Sequence, residues 1–156
     1  SDIMKNSLIL LKQNAEVKGI NVFFEIPKDI LVYIDRDMLE IVLRNFFSNA
    51  IKFTHKGGNI NVFAYESEGV VTIAVSDTGM GIEHERIKEI FNNSEFYTTF
   101  GTSGEKGTGI GLMICKELIE KNEGKVWVES NIGKGTTFYF TISADKHKLD
   151  NQREWG

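Results

Sequence analysis

Between Gly101 and Gly111, five of eleven residues are glycine, and the stretch from 92 to 109 shows neither a helical nor a strand period. A compact domain rarely keeps so long a connection without structure of its own unless the connection covers a site. The functional reading is a mobile lid over a ligand, carried by a scaffold built from the rest of the chain; the plain alternative is a floppy surface loop. A single proline among 156 residues fits that scaffold, because regular elements then run with few stiff turns.

The scaffold can be read from periodicity. Residues 3–18 carry an apolar helical stripe and stop at Gly19. Residues 20–26 (INVFFEI) read as a strand ended by Pro27, and 30–34 (ILVYI) as a second short strand. Asp35 or Asp37 caps a long helix through Phe53, which ends before Gly57-Gly58. Residues 59–66 and 70–76 form a hairpin turning at Ser67-Glu68-Gly69. Glu83 to Phe91 is a short helix. Ile110 to Lys121 is another, and 125–130 with 136–143 make a second hairpin. This order predicts an α/β protein: a two-layer sandwich of a mixed, mostly antiparallel sheet with helices on one face.

Composition excludes several classes. The length suits one domain that buries roughly 70% of its unfolded surface, so no disulfide or metal staple is needed. No run of 18 apolar residues is present, so no transmembrane helix and no direct membrane contact are expected. The net charge of −4 argues against a broad nucleic-acid surface. Cys115 is the only cysteine, which points to an intracellular, cytoplasmic setting. Three scattered histidines and one cysteine make no zinc set. His84 reads as a surface residue at a helix start, and His55 and His147 lie in polar segments.

Three groups of residues carry candidate chemistry. Asn45, Asn49 and Lys52 are spaced by four and three, so they share one stripe at the edge of the apolar face of the long helix. Asparagine is a poor helix former, and two at the border of a core need polar partners. An amide carbonyl is a hard oxygen suited to Mg²⁺, and Lys52 suits phosphate. The plain alternative is a pair of solvent-edge asparagines beside a solvated lysine. Next, Val70–Val75 runs into Asp77-Thr78-Gly79-Met80-Gly81. There an acid at a strand end can accept from an amine such as that of adenine, while the glycines admit a ligand to the backbone. The plain alternative is a strand-to-helix turn with Asp77 bonding local amides. Last, Gly107-Thr108-Gly109-Ile110-Gly111-Leu112 opens a helix whose amides favour an anion. It matches neither the dinucleotide fingerprint nor a Walker A loop.

Taken in order, VLRNFFSNAIKFT (42–54), SDTGMGI (76–82), Phe91, GTGIGL (107–112) and KVWVES…GKGTTF resemble the ATP-binding catalytic domain of sensor histidine kinases. That superfamily is shared with DNA gyrase B, Hsp90-type chaperones and mismatch-repair ATPases, and the resemblance covers about residues 3 to 143. It implies residues 1–144 as the ATP-binding domain and 145–156 as a polar tail or linker. It implies that Asn49 holds Mg²⁺ bridging the phosphates with Asn45 beside it, that Lys52 approaches the phosphates and that Phe53 lines the pocket. Asp77 would bond the adenine amine, with Gly79, Gly81 and Ile82 around it. Phe91 falls at the family's F box. Lys106, Gly107, Thr108, Gly109, Gly111 and Leu112 would form the lid hinge and phosphate-binding helix start, and Thr137 the adenine wall.

The implied partners are a histidine-bearing dimerisation domain and, indirectly, a response regulator, with the fragment itself monomeric. Relatives commonly place Glu or Gln four residues before the first asparagine; here Ile41 stands there and Glu40 one step off the stripe. The resemblance thus implies poor self-contained ATP hydrolysis. No phosphoacceptor segment is read in the chain, so phosphoryl transfer would go to a separate domain. The competing readings are a non-kinase or regulatory nucleotide-binding module of the same superfamily, and a homodimeric aspartic protease from the triplet Asp77-Thr78-Gly79. The long helix and the second glycine box argue against the protease.

Overall fold

The computed structural model describes residues 2–27, 35–91 and 111–144. The expected strand at 30–34, the lid at 92–109 and the tail at 145–156 lie outside the described residues. The elements are α1 (Asp2–Lys18), β1 (Asn21–Glu25), α2 (Arg36–Phe53), β2 (Asn59–Ser67), β3 (Val70–Asp77), α3 (His84–Ile87), α4 (Gly111–Lys121), β4 (Val126–Asn131) and β5 (Gly135–Ser143).

The five strands form one sheet in the order β1-β2-β3-β5-β4. β1 runs parallel to β2, and every other pairing is antiparallel, so the sheet is mixed and mostly antiparallel as expected. Alternation sends Ile60, Val62 and Ala64 of β2, Val71, Ile73 and Val75 of β3, and Phe138, Phe140 and Ile142 of β5 into the core. The opposite face carries an aromatic row. Trp127 stacks on Tyr139 at 5.0 Å, and Phe63 meets Tyr139 edge-on at 6.3 Å.

α2 is the helix on which the core is built. Leu39, Val42, Leu43, Phe46, Phe47 and Ala50 recur at helical spacing and are all buried. Asp35 is the cap: its carboxylate accepts from the amides of Asp37 at 2.8 Å and Met38 at 3.3 Å. Asp37, the other capping candidate, lies inside the first turn, where its charge suits the helix dipole. Phe46 lies between Phe138 at 5.1 Å and Phe140 at 5.6 Å, which locks α2 onto the middle of β5.

The helix expected over Glu83–Phe91 is shorter, covering His84–Ile87 and then breaking into turns. No side chain caps it and none of its four residues is buried, so little holds a longer helix in place. Instead Ile90 is buried and Phe91 packs edge-on against Phe138 at 6.2 Å.

Removing the ring between the two β5 phenylalanines should leave a cavity that a sheet cannot collapse to fill. Phe46→Ala is expected to lower unfolding free energy by about 3–5 kcal/mol, read as a lower urea midpoint at unchanged slope. A loss under about 1 kcal/mol would show that α2 is not anchored there.

Candidate functional site

The carboxyl-terminal turns of α2 bring the first group together only in part. Asn49 is 4% exposed and lines a cavity of about 220 Å³ between α2, the end of β3 and the β4–β5 hairpin. Phe53 lines the same cavity. Lys52 is 6% exposed and its ammonium sits over the Phe53 ring, 4.8 Å from the centroid. Asn45 is turned away: its amide donates to the Ile41 carbonyl at 2.7 Å, one turn back along the helix, and it is not part of the cavity wall.

β3 delivers Asp77 to the floor of the cavity, 6% exposed. Its Oδ1 accepts from the Gly79 amide at 2.8 Å and the Thr136 amide at 3.2 Å. Neither of these bonds uses Oδ2. Burial pushes the carboxyl up from its ordinary 3.8 to about 6, and the two amides offset only part of that.

The two glycines after Asp77 serve the protein's own packing. A Cβ on Gly79 would stand 2.2 Å from the Phe53 carbonyl oxygen. Gly81 has a φ of +76°, and a Cβ there would meet the Asn131 carbonyl oxygen at 2.2 Å. They let the turn lie flat between the end of α2 and the β4–β5 hairpin. Ile82 follows as a cavity wall, its amide held by Ser130 Oγ at 2.8 Å.

Thr137 does not line the cavity. Its hydroxyl pairs with that of Ser76 at 2.8 Å on the far face of the sheet, and Thr136 takes the cavity position instead. Strand parity explains it: with Phe138, Phe140 and Ile142 pointing to the core, Thr136 shares their face and Thr137 cannot. That signal was present in the sequence. Met80, Glu83, Arg86, Ile132 and Phe138 complete the wall and were not singled out. Ser130 is a further omission. Its hydroxyl holds the Ile82 amide, the Gly135 carbonyl at 3.0 Å and the Thr136 hydroxyl at 2.7 Å, and so ties the glycine turn to the hairpin.

Phe91 stands behind the cavity through its contact with Phe138 rather than in it. Gly111 and Leu112 open α4, both buried, with Leu112 in the hydrophobic core. Lys106, Gly107, Thr108 and Gly109 lie outside the described residues. The described walls are mostly apolar, with a few polar groups at fixed places, as in sites for aromatic heterocycles. The volume is below the roughly 300–1,000 Å³ of sites that enclose a drug-sized ligand, so these walls suit a base with the remainder of a nucleotide lying outside them.

The structure is a mixed sheet backed by helices, with a buried carboxylate at the end of its central strand beside a mostly apolar cavity. The chain belongs to the histidine kinase-, DNA gyrase B- and HSP90-like ATPase family, whose model matches residues 34–146. It is 33% identical over 149 residues to the adaptive-response sensory kinase SasA of Synechococcus elongatus, covering 94% of this chain and 38% of that protein. It is 36% identical over 134 residues to the sensor protein SrrB of Staphylococcus aureus, covering 86% of this chain and 23% of that protein. The chain thus spans well under half the length of these relatives. Among solved structures, it matches the nucleotide-free catalytic domain of histidine kinase ThkA with a TM-score of 0.80 at 31% identity, covering 94% and 93% of the two chains. Full-length ShkA in complex with AMPPNP matches with a TM-score of 0.77 at 28% identity, covering 90% of this chain and 29% of that one.

The raised Asp77 carboxyl makes stability depend on pH. Its folded pKa lies above the unfolded one, so the stability tied to its proton is whole below 3.8 and is lost as pH rises through about 6. At 1.36 kcal/mol per pKa unit this amounts to about 3 kcal/mol. Asp77→Asn keeps an acceptor oxygen and cannot ionise. In urea titrations it is expected to gain on wild type by about that amount between about pH 4 and about pH 8. A difference between the two proteins that stays constant with pH would contradict the burial of this charge.

Proposed function

We propose that this chain is the Mg-ATP-binding catalytic domain of a sensor histidine kinase, placing the γ-phosphoryl group of ATP for transfer to a histidine on a separate dimerisation domain. The observation that carries the reading is the pairing of Asp77 with Asn49 across one cavity. The carboxylate can accept from the exocyclic amine of adenine, and the apolar walls from Met80, Ile82 and Phe138 exclude water around that bond.

The donor set fits Mg²⁺. Among the described residues no group of three or more His, Cys, Asp or Glu could hold a metal ion by themselves. Mg²⁺ needs no such cage: it is commonly bound through one or two protein oxygens plus substrate phosphates and waters. Asn49, buried and facing the cavity, offers the amide oxygen for that role, and Mg²⁺ would supply charge neutralisation across the phosphates.

Lys52, at the last turn of α2, does not itself line the cavity; its ammonium lies over the ring of Phe53, which does, and from there it would supply positive charge to the phosphates. During transfer an imidazole nitrogen of the acceptor attacks the γ-phosphorus, the bond to the β–γ bridging oxygen breaks, and ADP leaves. Such a reaction asks the protein chiefly for positioning and charge stabilisation. Ile41, standing where relatives commonly carry Glu or Gln, cannot activate water, which fits transfer to a histidine. The histidine-bearing domain would come from the parent protein, a response regulator would receive the phosphate afterwards, and the setting is cytoplasmic. No helix among the described residues is long and apolar enough to cross a membrane.

Mg-ADP at about one hundred times its dissociation constant should stabilise the wild type by roughly 2.7 kcal/mol, read as a raised thermal midpoint. The shift should shrink without Mg²⁺, and Asn49→Ala should lose that Mg²⁺ dependence. Incubation with ATP and a dimerisation hairpin from the parent kinase should then yield an acid-labile phosphate on histidine. Normal nucleotide binding without any phosphohistidine would leave a nucleotide-binding module and remove the kinase reading.

A further inference from the structure

Three consecutive carbonyls at the end of α2 are each taken by a group from outside the helix. The Lys18 ammonium, from the last turn of α1, donates to the Ile51 carbonyl at 2.7 Å and the Lys52 carbonyl at 3.3 Å. The Phe53 carbonyl accepts from the Met80 amide at 3.0 Å. A helix leaves its last carbonyls without partners of its own and carries negative potential there, so a partly buried ammonium is a strong clasp. The clasp is reinforced by the backbone: the Gly57 amide bonds the Gly19 carbonyl at 2.8 Å, and the Asn21 amide bonds the Gly58 carbonyl at 2.9 Å.

The same helix end is joined on its other side to the turn that carries Asp77. Gly79 of that turn lies against the Phe53 carbonyl, while the Thr78 amide to the Asn59 carbonyl at 3.1 Å and the Asn59 amide to Thr78 Oγ1 at 2.9 Å tie the turn to the start of β2. The two joints differ in kind. The turn meets the Phe53 carbonyl through backbone, whereas the Ile51 and Lys52 carbonyls are held by the Lys18 side chain, beside the packing of α1 on α2 and the backbone bonds at Gly57 and Gly58.

We propose that Lys18 is a positioning residue for the nucleotide site: by clasping the Ile51 and Lys52 carbonyls it fixes the last turn of α2, and with it the Lys52 ammonium over Phe53. The position of α1 then sets how well the phosphate end of a nucleotide is held, while base recognition at Asp77 keeps its own joint to β2. This rests on the reading of the cavity as an ATP site.

The test is calorimetric titration of two ligands, Mg-ADP and adenosine, into wild type, Lys18→Met and Lys18→Arg at a temperature where thermal scans show each to be folded. Lys18→Met keeps the aliphatic stem and removes the donors. It should weaken Mg-ADP by about tenfold, the scale of a lost hydrogen bond to a charged group, and adenosine by less than about twofold on the same scale. Lys18→Arg should restore most of the Mg-ADP affinity. A purely structural lysine would instead lower the thermal midpoint and leave the ratio of the two affinities unchanged. Equal weakening of both ligands, or no weakening of Mg-ADP, overturns the proposal while leaving the ATP site standing. If Lys18→Met does not fold, Lys18→Gln carries the same comparison. Wild type that binds neither ligand overturns the ATP site and this proposal together.

Discussion

The contact on which the rest of the site depends is the meeting of the Phe53 carbonyl with the turn after β3. The Met80 amide reaches that carbonyl at 3.0 Å, and the approach is possible because position 79 has no Cβ. This single joint sets the angle between α2, which brings Asn49 and Phe53, and β3, which brings Asp77. Any side chain at 79 would push the helix end and the carboxylate apart, because a helix and the central strand of a sheet cannot both yield by an ångström without losing core contacts. The cavity is therefore a consequence of a backbone-to-backbone fit.

That fit places a carboxylate where folding alone would not. Asp77 is buried among apolar walls, and its carboxyl is pushed up to about 6 because the charged form loses water there. The amides of Gly79 and Thr136 hold the group in place through Oδ1. The buried carboxyl costs the fold stability at neutral pH.

The core shows the complementary logic. Phe46 between Phe138 and Phe140, with Phe91 edge-on to Phe138, forms an aromatic cluster directly behind the cavity wall. Phe138 belongs to both, lining the cavity on one side and packing on Phe46 on the other. Wall and core are thus one packed unit. Family membership and the likeness to catalytic domains of histidine kinases agree with this architecture at the level of the whole fold.

Much of this was legible in the residue order. The helical period of Leu39, Val42, Leu43, Phe46 and Phe47, and the alternation in β2, β3 and β5, determined a mixed sheet with helices on one face, because burial demands those periods. The glycine spacing after Asp77 marked a turn of close approach, though the approaching partners proved to be the Phe53 and Asn131 carbonyls. Tertiary structure alone decided which of two like residues serves. Asn49 faces the cavity and Asn45 bonds its own helix; Thr136 lines the wall and Thr137 pairs with Ser76. It alone also assembled partners far apart in the chain, such as Lys18 on the end of α2 and Ser130 on the Ile82 amide. Period and spacing are local properties carried by neighbours in sequence. The direction of a polar group is settled by whatever the folded chain brings opposite it, and no local pattern carries that information.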